Sequence, residues 1–191
     1  MTAARERFAA ELAVVPLHRL VFVDETGSHV AMTRAYARAP AGQRALGRVP
    51  RNRGSVTTVI GSIAARGLTA LMTIDGGTSG AVFLRFVREH LCPTLRAGDV
   101  VVMDNLGAHH ATGIREAIEA KGASVLYMPP YSPDLNPIEL CWSKFKELLR
   151  ALGARTRVQL RETIATAAAF ITRRDALAWF RHCGYRRIQP S

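Results

Sequence analysis

Apolar residues along this chain occur either in short unbroken runs or at helical spacing, and the two patterns predict different elements. Five short runs rich in β-branched residues predict strands, at 19–25, 55–64, 68–74, 100–103 and 124–128. The first and fourth runs are continuously apolar and end in an acid, which is the pattern of a strand covered on both faces. The second and third runs are joined through Arg66 and Gly67, which predicts a hairpin.

Helical spacing predicts the elements that follow the strands. After Thr78 and Ser79, which are both N-cap candidates, apolar residues at helical intervals predict a helix of about four turns. Further helices are predicted at about 111–121, 137–152, 156–172 and 174–181. The order of elements, with hairpin strands first and crossovers through helices later, favours an α/β fold with a mixed five-stranded sheet flanked by helices.

The segment between the first two strands is long and has no sustained period. Glycine, proline and arginine occur throughout residues 26–54, with at most a short strand near 29–33. A connection of this length inside a compact domain is usually either functional or disordered. From Thr26 to Ile74 the chain contains no acid, but it carries Arg34, Arg38, Arg44, Arg48, Arg51, Arg53 and Arg66.

The overall charge indicates a polyanionic partner. The chain has 191 residues, a formal net charge of +11 and a sequence pI of about 10.7. Clustered Lys and Arg gain affinity for nucleic acids by releasing counterions from phosphates. Two solvated basic surfaces of a protein from an arginine-favouring genome would give the same composition. Most acids lie between residues 75 and 139, so the pattern is a basic rim around an acidic centre, as a nuclease site requires.

Length and hydropathy are those of one domain that folds without disulfides. A chain of this length that is 48% hydrophobic buries a full core. Its cysteines, Cys92, Cys141 and Cys183, share no metal-ligand spacing, and His182 beside Cys183 lacks the further ligands that zinc needs. No apolar run approaches the roughly 20 residues that span a bilayer. We therefore expect a cytoplasmic protein without a membrane partner.

Three carboxylates are candidates for a metal site. Asp24 lies at the end of the first buried strand, and Asp104 directly follows the fourth. If these strands are parallel neighbours, both side chains emerge at the edge of the sheet where such folds bind ligands, and carboxylate oxygens suit Mg²⁺ or Mn²⁺. Glu139 occupies the third helical position behind Asn136, a good N-cap, and Pro137. It is an ordinary capping-box residue, a third ligand, or both, because the helix dipole favours an ionised carboxylate there.

Three segments of the chain resemble the mariner-like transposases and their bacterial insertion-sequence relatives. These segments are FVDETG (22–27), VVMDNLGAHH (101–110) and LYMPPYSPDLNPIELCWSKFK (126–146). The 34 residues between Asp104 and Glu139 are the spacing typical of this family, and WFRHCGYR (179–186) resembles the end of its bacterial members. The likeness covers residues 19–187, which we interpret as the catalytic domain, behind a lead-in segment over 1–18.

The resemblance implies a ribonuclease-H-like fold with a catalytic triad of Asp24, Asp104 and Glu139. It also implies that this triad holds two Mg²⁺ ions and that Mn²⁺ can take their place. Asp24 would bridge the ions, and Asp104 and Glu139 would each complete the shell of one. It also implies hydrolysis at the ends of a mobile element, followed by attack of the exposed 3′-hydroxyls on double-stranded target DNA, typically at TA. A homodimer and, for a bacterial protein, a location at the nucleoid follow from the same resemblance.

Candidate DNA contacts follow from charge and position. The arginine-rich stretch 34–53 occupies the place of the family's insertion between the first two strands, which contacts DNA or the partner subunit in relatives. The candidates are Arg34, Arg38, Arg44, Arg48, Arg51, Arg53, His109 and Lys144. A surface or capping role for the histidine is the alternative. Glu25, on the opposite face of its strand from Asp24, is expected to contact a helix or loop, and Trp142 and Phe145 are expected in the core.

The family's helix-turn-helix modules, which recognise the element ends, have no counterpart ahead of the first predicted strand. We therefore expect a catalytic-domain fragment, a degenerate copy, or the second reading frame of an element whose upstream frame encodes a DNA-binding protein. One alternative function is a catalytically silent DNA-binding or regulatory fragment that pairs with a full-length transposase. Another is a different ribonuclease-H-like nuclease, such as a resolvase or RNase H. The intact triad argues against the first, and the NPIE turn at 136–139 argues against the second.

Overall fold

Five β-strands and six α-helices are found in residues 2–185, the part of the chain that the computed structural model describes. The strands are β1 (Leu20–Ser28), β2 (Thr57–Ala64), β3 (Gly67–Asp75), β4 (Val100–Met103) and β5 (Ser124–Tyr127). The helices are α1 (Thr2–Ala13), α2 (Gly80–Phe86), α3 (Ile114–Glu119), α4 (Pro137–Leu152), α5 (Arg157–Ala169) and α6 (Arg173–His182). Arg186 of the WFRHCGYR motif and Arg187, where the predicted domain ends, lie outside the described residues.

The sheet has the strand order β3-β2-β1-β4-β5, which confirms the mixed topology predicted from the sequence. β1, β2 and β3 are antiparallel neighbours, whereas β4 and β5 run parallel to β1. Antiparallel strands need only a tight turn, and the predicted turn at Arg66 joins β2 to β3. Each parallel strand needs a crossover connection, and α2 and α3 lie in the two crossovers.

Side chains on the two faces of the sheet form two hydrophobic clusters, each covered by helices. One face, which includes Phe22 and Val102, packs against α1, α4, α5 and α6. The other face, which includes Val21 and Val101, packs against α2 and α3. Successive strand residues point to opposite faces, so both sets of positions must be apolar. This burial explains why the sequences of β1 and β4 begin as unbroken apolar runs.

β1 is longer than predicted, and the short strand expected near 29–33 is wrong. β1 does not end at Asp24 but continues to Ser28, because β2 pairs with it along this whole length. Its pairing with β4 stops at Phe22. Residues 29–33 form a turn and irregular structure. After Phe22, β1 therefore has only β2 as a neighbouring strand, and Asp24 lies near the start of this part.

The helices after α3 match their predictions within a few residues, but α3 itself does not. α3 spans Ile114–Glu119 rather than 111–121, because Gly113 adopts a left-handed conformation, with a φ of 92°, directly before it. The helix predicted after Ser79 begins there as expected, since the Ser79 hydroxyl accepts a hydrogen bond in its first turn. It continues beyond α2 as a π-helical turn over 87–91.

Residues 1–18, predicted as a lead-in segment, contain α1. Phe8 and Leu12 on α1 are buried in the hydrophobic cluster on the α4 side of the sheet. Arg5 forms an ion pair with Asp134 in the loop before α4. These contacts pack α1 onto the sheet, while the boundary between a lead-in segment and a catalytic domain stays a prediction. Within residues 2–185, no helix is long and apolar enough to cross a membrane.

Candidate active site

β1 and β4 separate at the position where the two predicted aspartates lie. The parallel register aligns Leu20 with Val100 and Phe22 with Val102, an offset of 80 residues. Asp24 and Asp104 keep this offset, and each stands two residues beyond the last aligned pair. Side chains two residues apart on a strand share a face. Asp24, inside β1, therefore projects from the face that packs against α4, and Asp104 is the first residue after the end of β4.

A cleft of about 490 Å³ at this position is lined by all three predicted carboxylates. Its walls are the residues that follow β4, the proline-rich loop after β5, and the first turn of α4. The lining residues are Asp24, Asp104, Asn105, Leu106, Met128, Pro129, Pro130, Tyr131, Ser132, Pro133, Asn136 and Glu139. Asp24 and Asp104 are partly buried, whereas Glu139 is exposed. The cleft thus combines a solvent-accessible side with acids that are held in the protein.

Glu139 lines the cleft because α4 begins beside it. Pro137 occupies the first helical position and Glu139 the third, as predicted. The Asn136 side chain makes no capping hydrogen bond, whereas α5 and α6 both begin with complete capping boxes, at Thr156 and Thr172. α4 therefore lacks the capping interaction that would by itself account for a glutamate at this position.

Burial and neighbouring carboxylates make Asp24 an unusually weak acid. Burial, together with the negative charges of Glu139, Asp104 and Glu25, raises the pKa of Asp24 to about 7. The backbone amide of Glu25 donates a hydrogen bond to Asp24 Oδ1 at 2.8 Å and opposes this rise. Like charges at one site disfavour ionisation, and a nearby cation favours it. The electrostatics of the cleft therefore favour a bound cation.

His109 is buried beside the second aspartate. Its Nδ1 lies 2.6 Å from Asp104 Oδ1, and its Nε2 lies 3.3 Å from Glu25 Oε1. Burial lowers the pKa of His109, but the contacts with Asp104 and Glu25 outweigh this effect and raise it to about 10. Likewise, burial raises the pKa of Asp104, but His109 holds it below its ordinary value. With 0% of its surface exposed, His109 contacts acids of the protein, although it was predicted as a DNA contact.

Glu25 contacts a helical turn, as predicted, but the sequence did not indicate which residue it would meet there. His109 lies 84 residues further along the chain and belongs to the 3₁₀ turn Gly107–His110 that follows β4. An acid directly after Asp24 and a histidine shortly after Asp104 were the available signals. Neither signal predicts a pair, because their proximity depends on β1 and β4 being neighbours.

The donor atoms of the cleft fit a divalent cation that prefers oxygen. Three carboxylates line it, and carboxylate oxygens are the ligands that Mg²⁺ and Mn²⁺ take. Asn136 Oδ1, on a residue that is 4% exposed, is buried there without a hydrogen-bond partner, and such an acceptor is usually satisfied by water or an ion. Within residues 2–185, however, no three His, Cys, Asp or Glu side chains already form a group that could hold an ion. The Asp104 carboxylate is directed at His109.

The predicted DNA contacts lie in two different settings. The arginines of the stretch 34–53 are all exposed, on a segment with little regular structure. Apolar side chains in the same stretch are also exposed, including Tyr36 and Leu46. Lys144 on α4, in contrast, is partly buried, and its Nζ lies 2.6 Å from Asp175 Oδ2 in the first turn of α6. Lys144 thus links two helices of the domain.

Tyr131 lies at the rim of the cleft and was not predicted from the sequence as a site residue. Among the non-glycine residues of the described chain, it alone has a positive φ, of 55°, and it is 90% exposed. Such a conformation is uncommon for a bulky residue and persists only where the surrounding structure holds it. The next residue, Ser132, is buried and accepts a hydrogen bond from Arg5 Nη1 at 2.9 Å. The loop therefore displays an aromatic ring at the mouth of the cleft.

A second cavity, of about 390 Å³, lies between α1 and the residues that follow α6. Its lining is largely apolar, with Phe8, Leu12 and Leu20 among the residues, and the described residues that line it include no carboxylate, histidine or basic side chain. The acidic cleft is therefore the better candidate for a catalytic site.

The mixed sheet has one acid within β1, a second directly after the neighbouring β4, and a third on a helix packed against the sheet. This arrangement defines a ribonuclease-H-like domain with an acidic cleft. A family model, that of the DDE superfamily endonucleases, matches residues 19–161. Since this match covers most of the chain, the protein belongs to the DDE superfamily of endonucleases. A comparison with curated proteins gives no match.

Solved structures of the Mos1 transposase share the fold. The chain is similar to Mos1 in a pre-cleavage transpososome, with a TM-score of 0.70 and 17% identity, over 99% of this chain and 62% of that one. It is also similar to the Mos1 mariner paired-end complex with Mn, with a TM-score of 0.69 and 18% identity, over 95% and 57%. For the catalytic domain of Mos1 mariner transposase the TM-score is 0.66 and the identity 15%, over 95% and 85%. This chain spans less than two thirds of the longer Mos1 chains, and the similarity confirms the predicted ribonuclease-H-like fold.

Proposed function

We propose that this chain is the catalytic domain of a DNA transposase that hydrolyses and joins phosphodiesters with divalent metal ions. The observation that carries the proposal is the cleft lined by Asp24, Asp104 and Glu139, in a member of the DDE superfamily of endonucleases. Transposition is supported by the kinds of Mos1 complex that share the fold, which include a pre-cleavage transpososome and a strand transfer complex.

Asp24, Asp104 and Glu139 are the residues that would hold two Mg²⁺ ions, or Mn²⁺ in their place. Two such ions can activate the attacking oxygen and stabilise the leaving oxygen of a phosphodiester. Asp24 is more buried than Asp104, and its ionisation responds to both other carboxylates, so we assign it the bridging position. Asp104 and Glu139 would each complete the shell of one ion. Mos1 structures obtained with Mn and with Mg support this choice of ions.

Double-stranded DNA is the proposed substrate, both as the ends of a mobile element and as the target, typically at TA. The net charge of +11 and the exposed arginines of the stretch 34–53 support binding to phosphates. One Mos1 paired-end complex with the same fold contains the left transposon end. The proposed assembly is a homodimer at the nucleoid of a bacterial cytoplasm, with an upstream-frame DNA-binding protein as a further partner.

A catalytically silent fragment that pairs with a full-length transposase is the second candidate function. One observation favours it: within residues 2–185, the three acids of the cleft do not form a group that is already arranged to hold a metal ion. A protein with this fold and charge could bind DNA or a partner subunit without cleaving anything.

Metal-dependent cleavage of DNA that carries an element end distinguishes the two functions. We expect nicking and strand transfer in Mg²⁺ or Mn²⁺ and none in chelator. Asp104→Asn removes one ligand charge with little change in shape, so it should slow nicking by at least about 100-fold, or roughly 3 kcal/mol of barrier. The matched control is Glu119→Gln, which removes a charge from the exposed face of α3 and should leave the rate unaltered.

The outcomes separate the proposals clearly. Cleavage that survives Asp104→Asn, or that persists in chelator, contradicts the metal mechanism. DNA binding by the wild type without cleavage in either metal favours the silent fragment.

Reversing the charge of Arg48, Arg51 and Arg53 to glutamate is expected to weaken DNA binding. Each phosphate contact contributes about 0.9 to the slope of log affinity against log salt, so the loss of three contacts should lower the slope by about 3. Fluorescence anisotropy with labelled DNA at several salt concentrations measures both quantities. The control reverses three exposed bases elsewhere on the surface, Arg7, Arg115 and Lys121. An unaltered affinity and slope in the first variant would show that the stretch 34–53 does not contact DNA.

A further inference from the structure

His109 is held in place by contacts on both its ring and its backbone. The ring packs against Phe83, in α2, with centroids 4.1 Å apart, and it has no exposed surface. The His109 carbonyl accepts a hydrogen bond from the Tyr127 hydroxyl at 3.1 Å. Close packing in a protein interior leaves a ring few alternative orientations. The directions in which its two nitrogens point are therefore set by the fold.

Both ring nitrogens of His109 lie close to carboxylate oxygens, and Nδ1 also makes a hydrogen bond with the backbone carbonyl oxygen of Asp104 at 3.2 Å. Nδ1 lies 2.6 Å from Asp104 Oδ1, and Nε2 lies 3.3 Å from Glu25 Oε1. The backbone amide of Leu106 also donates to Asp104 Oδ1, at 3.2 Å. Because Oδ1 already has these two neighbours, Oδ2 is the Asp104 oxygen left for a ligand in the cleft.

Glu25 connects the two aspartates through its backbone and its side chain. Its backbone amide donates to Asp24 Oδ1 at 2.8 Å. Successive residues of a strand point to opposite faces, so the Glu25 side chain leaves β1 on the α2 side, where His109 packs. Through His109 it reaches Asp104. One residue thus contacts the first aspartate directly and the second through one ring.

We propose that Glu25 and His109 are positioning residues that hold Asp24 and Asp104 in register for a shared divalent ion. Glu25 orients the His109 ring, the ring orients Asp104, and the Glu25 amide orients Asp24; neither Glu25 nor His109 binds the ion. This inference rests on the proposed function, because it requires the aspartates to be metal ligands. Partners that orient metal ligands typically change metal affinity by about 10- to 100-fold.

Two substitutions of His109 separate positioning from packing. The side-chain nitrogen of asparagine lies near the place of Nδ1, and that of glutamine near the place of Nε2. His109→Asn therefore keeps the contact with Asp104, whereas His109→Gln keeps only the contact with Glu25. Both variants place one amide in the same part of the core. If His109 had only a packing role, the Asn and Gln variants should therefore bind Mn²⁺ with similar affinity.

Mn²⁺ affinity, measured by electron paramagnetic resonance of free Mn²⁺ without DNA, is the readout. We expect His109→Gln to weaken Mn²⁺ binding by about 10- to 100-fold, and His109→Asn to bind clearly more tightly than His109→Gln. Glu25→Gln keeps the shape of the side chain and should weaken Mn²⁺ binding by about 10-fold. If a His109 variant fails to fold, this substitution tests the contact between Glu25 and His109 from the other side. The control is His110→Gln, on the next and exposed residue, with affinity unaltered.

Two results would overturn the inference. If His109→Gln and Glu25→Gln bind Mn²⁺ as tightly as the wild type, while Asp104→Asn loses binding, the positioning role is wrong and the proposed function stands. If the wild type itself binds no Mn²⁺, with or without element-end DNA, the proposed function fails and the positioning role fails with it.

Discussion

Asparagine in place of Asp24 is expected to abolish metal-dependent cleavage and, at the same time, to stabilise the metal-free protein above neutral pH. Asp24 is the carboxylate proposed to bridge both ions, so its loss weakens the binding of each. The rate should fall by at least about 1000-fold, which corresponds to about 4 kcal/mol of barrier. The measurement is the initial rate of nicking of element-end DNA at saturating Mg²⁺ and Mn²⁺, with Asp104→Asn alongside.

The gain in stability follows from the raised pKa of Asp24, which is about 7 in the folded protein. An aspartate in an unfolded chain titrates at about 3.9, so below about pH 4 the group is protonated in both states and has no effect on stability. As the pH rises from about 4 to about 7, the unfolded state loses its proton first, and the folded state becomes relatively less stable. Above about pH 7 the loss is complete and amounts to at most about 4 kcal/mol.

Thermal unfolding in chelator, followed across this pH range, tests the effect. The melting temperature of Asp24→Asn should exceed that of the wild type at about pH 8, and the difference should disappear near about pH 4. Added Mg²⁺ should raise the melting temperature of the wild type more than that of the variant, because only the wild type binds it well. Glu119→Gln is again the control. A variant less stable than the wild type at alkaline pH would contradict the repulsion between carboxylates.

Alanine at Gly61 is expected to disturb the cleft from inside the core. Gly61 on β2 pairs with Asp24 on β1. A Cβ at Gly61 would lie 2.7 Å from Trp142 Cη2 and 3.2 Å from the carbonyl oxygen of Ala70. Trp142 is 2% exposed and stands one turn after Glu139 on α4. Because its ring has no free space, the added methyl group must shift the ring, and with it the helix that carries Glu139.

The expected loss of unfolding free energy for Gly61→Ala is about 1–3 kcal/mol, the usual effect of overpacking. Cleavage at saturating metal should fall by up to about 100-fold, since a displacement of about 1 Å at a catalytic group is sufficient for this. Denaturant unfolding measures the first quantity, and the emission of Trp142 in a Trp179→Phe background reports the shift of the ring.

The control for this effect is Gly77→Ala, where a Cβ would meet no atom within 4 Å. A second variant, Gly61→Ala with Trp142→Phe, should recover much of the lost stability, because the smaller ring leaves room for the methyl group. Unaltered stability in Gly61→Ala alone would show that the contact with Trp142 is not limiting.

The strands were predicted well because burial on two faces selects residue types that the sequence displays directly. The end of β1 was predicted incorrectly. The residues after Asp24 are polar or glycine, so they lack the apolar pattern of a strand buried on two faces. Their strand conformation comes from pairing with β2, a partner that begins about thirty residues later, beyond a long loop. Similarly, α3 was predicted too long because its apolar spacing extends across Gly113, whose backbone conformation ends that pattern.

The role of Glu139 shows a second kind of limit. Its position behind Asn136 and Pro137 predicted the start of α4 correctly, yet the same pattern allowed a cap, a ligand or both. The choice depends on where the side chains go: Asn136 makes no capping bond, and Glu139 lines the cleft with Asp24. That arrangement arises because α4 packs on the face of the sheet from which Asp24 projects.

The sequence by itself determined most of the local elements, the three acids as candidate ligands, and the motif that indicated their family. These features depend on residue type and on spacing within one element. Only the tertiary structure decided that Glu25, His109 and Asp104 form one chain of contacts, and that Gly61 leaves room for Trp142 behind Asp24. Both arrangements join residues from separate elements, and their distances are set by strand order and helix packing, which no local pattern encodes.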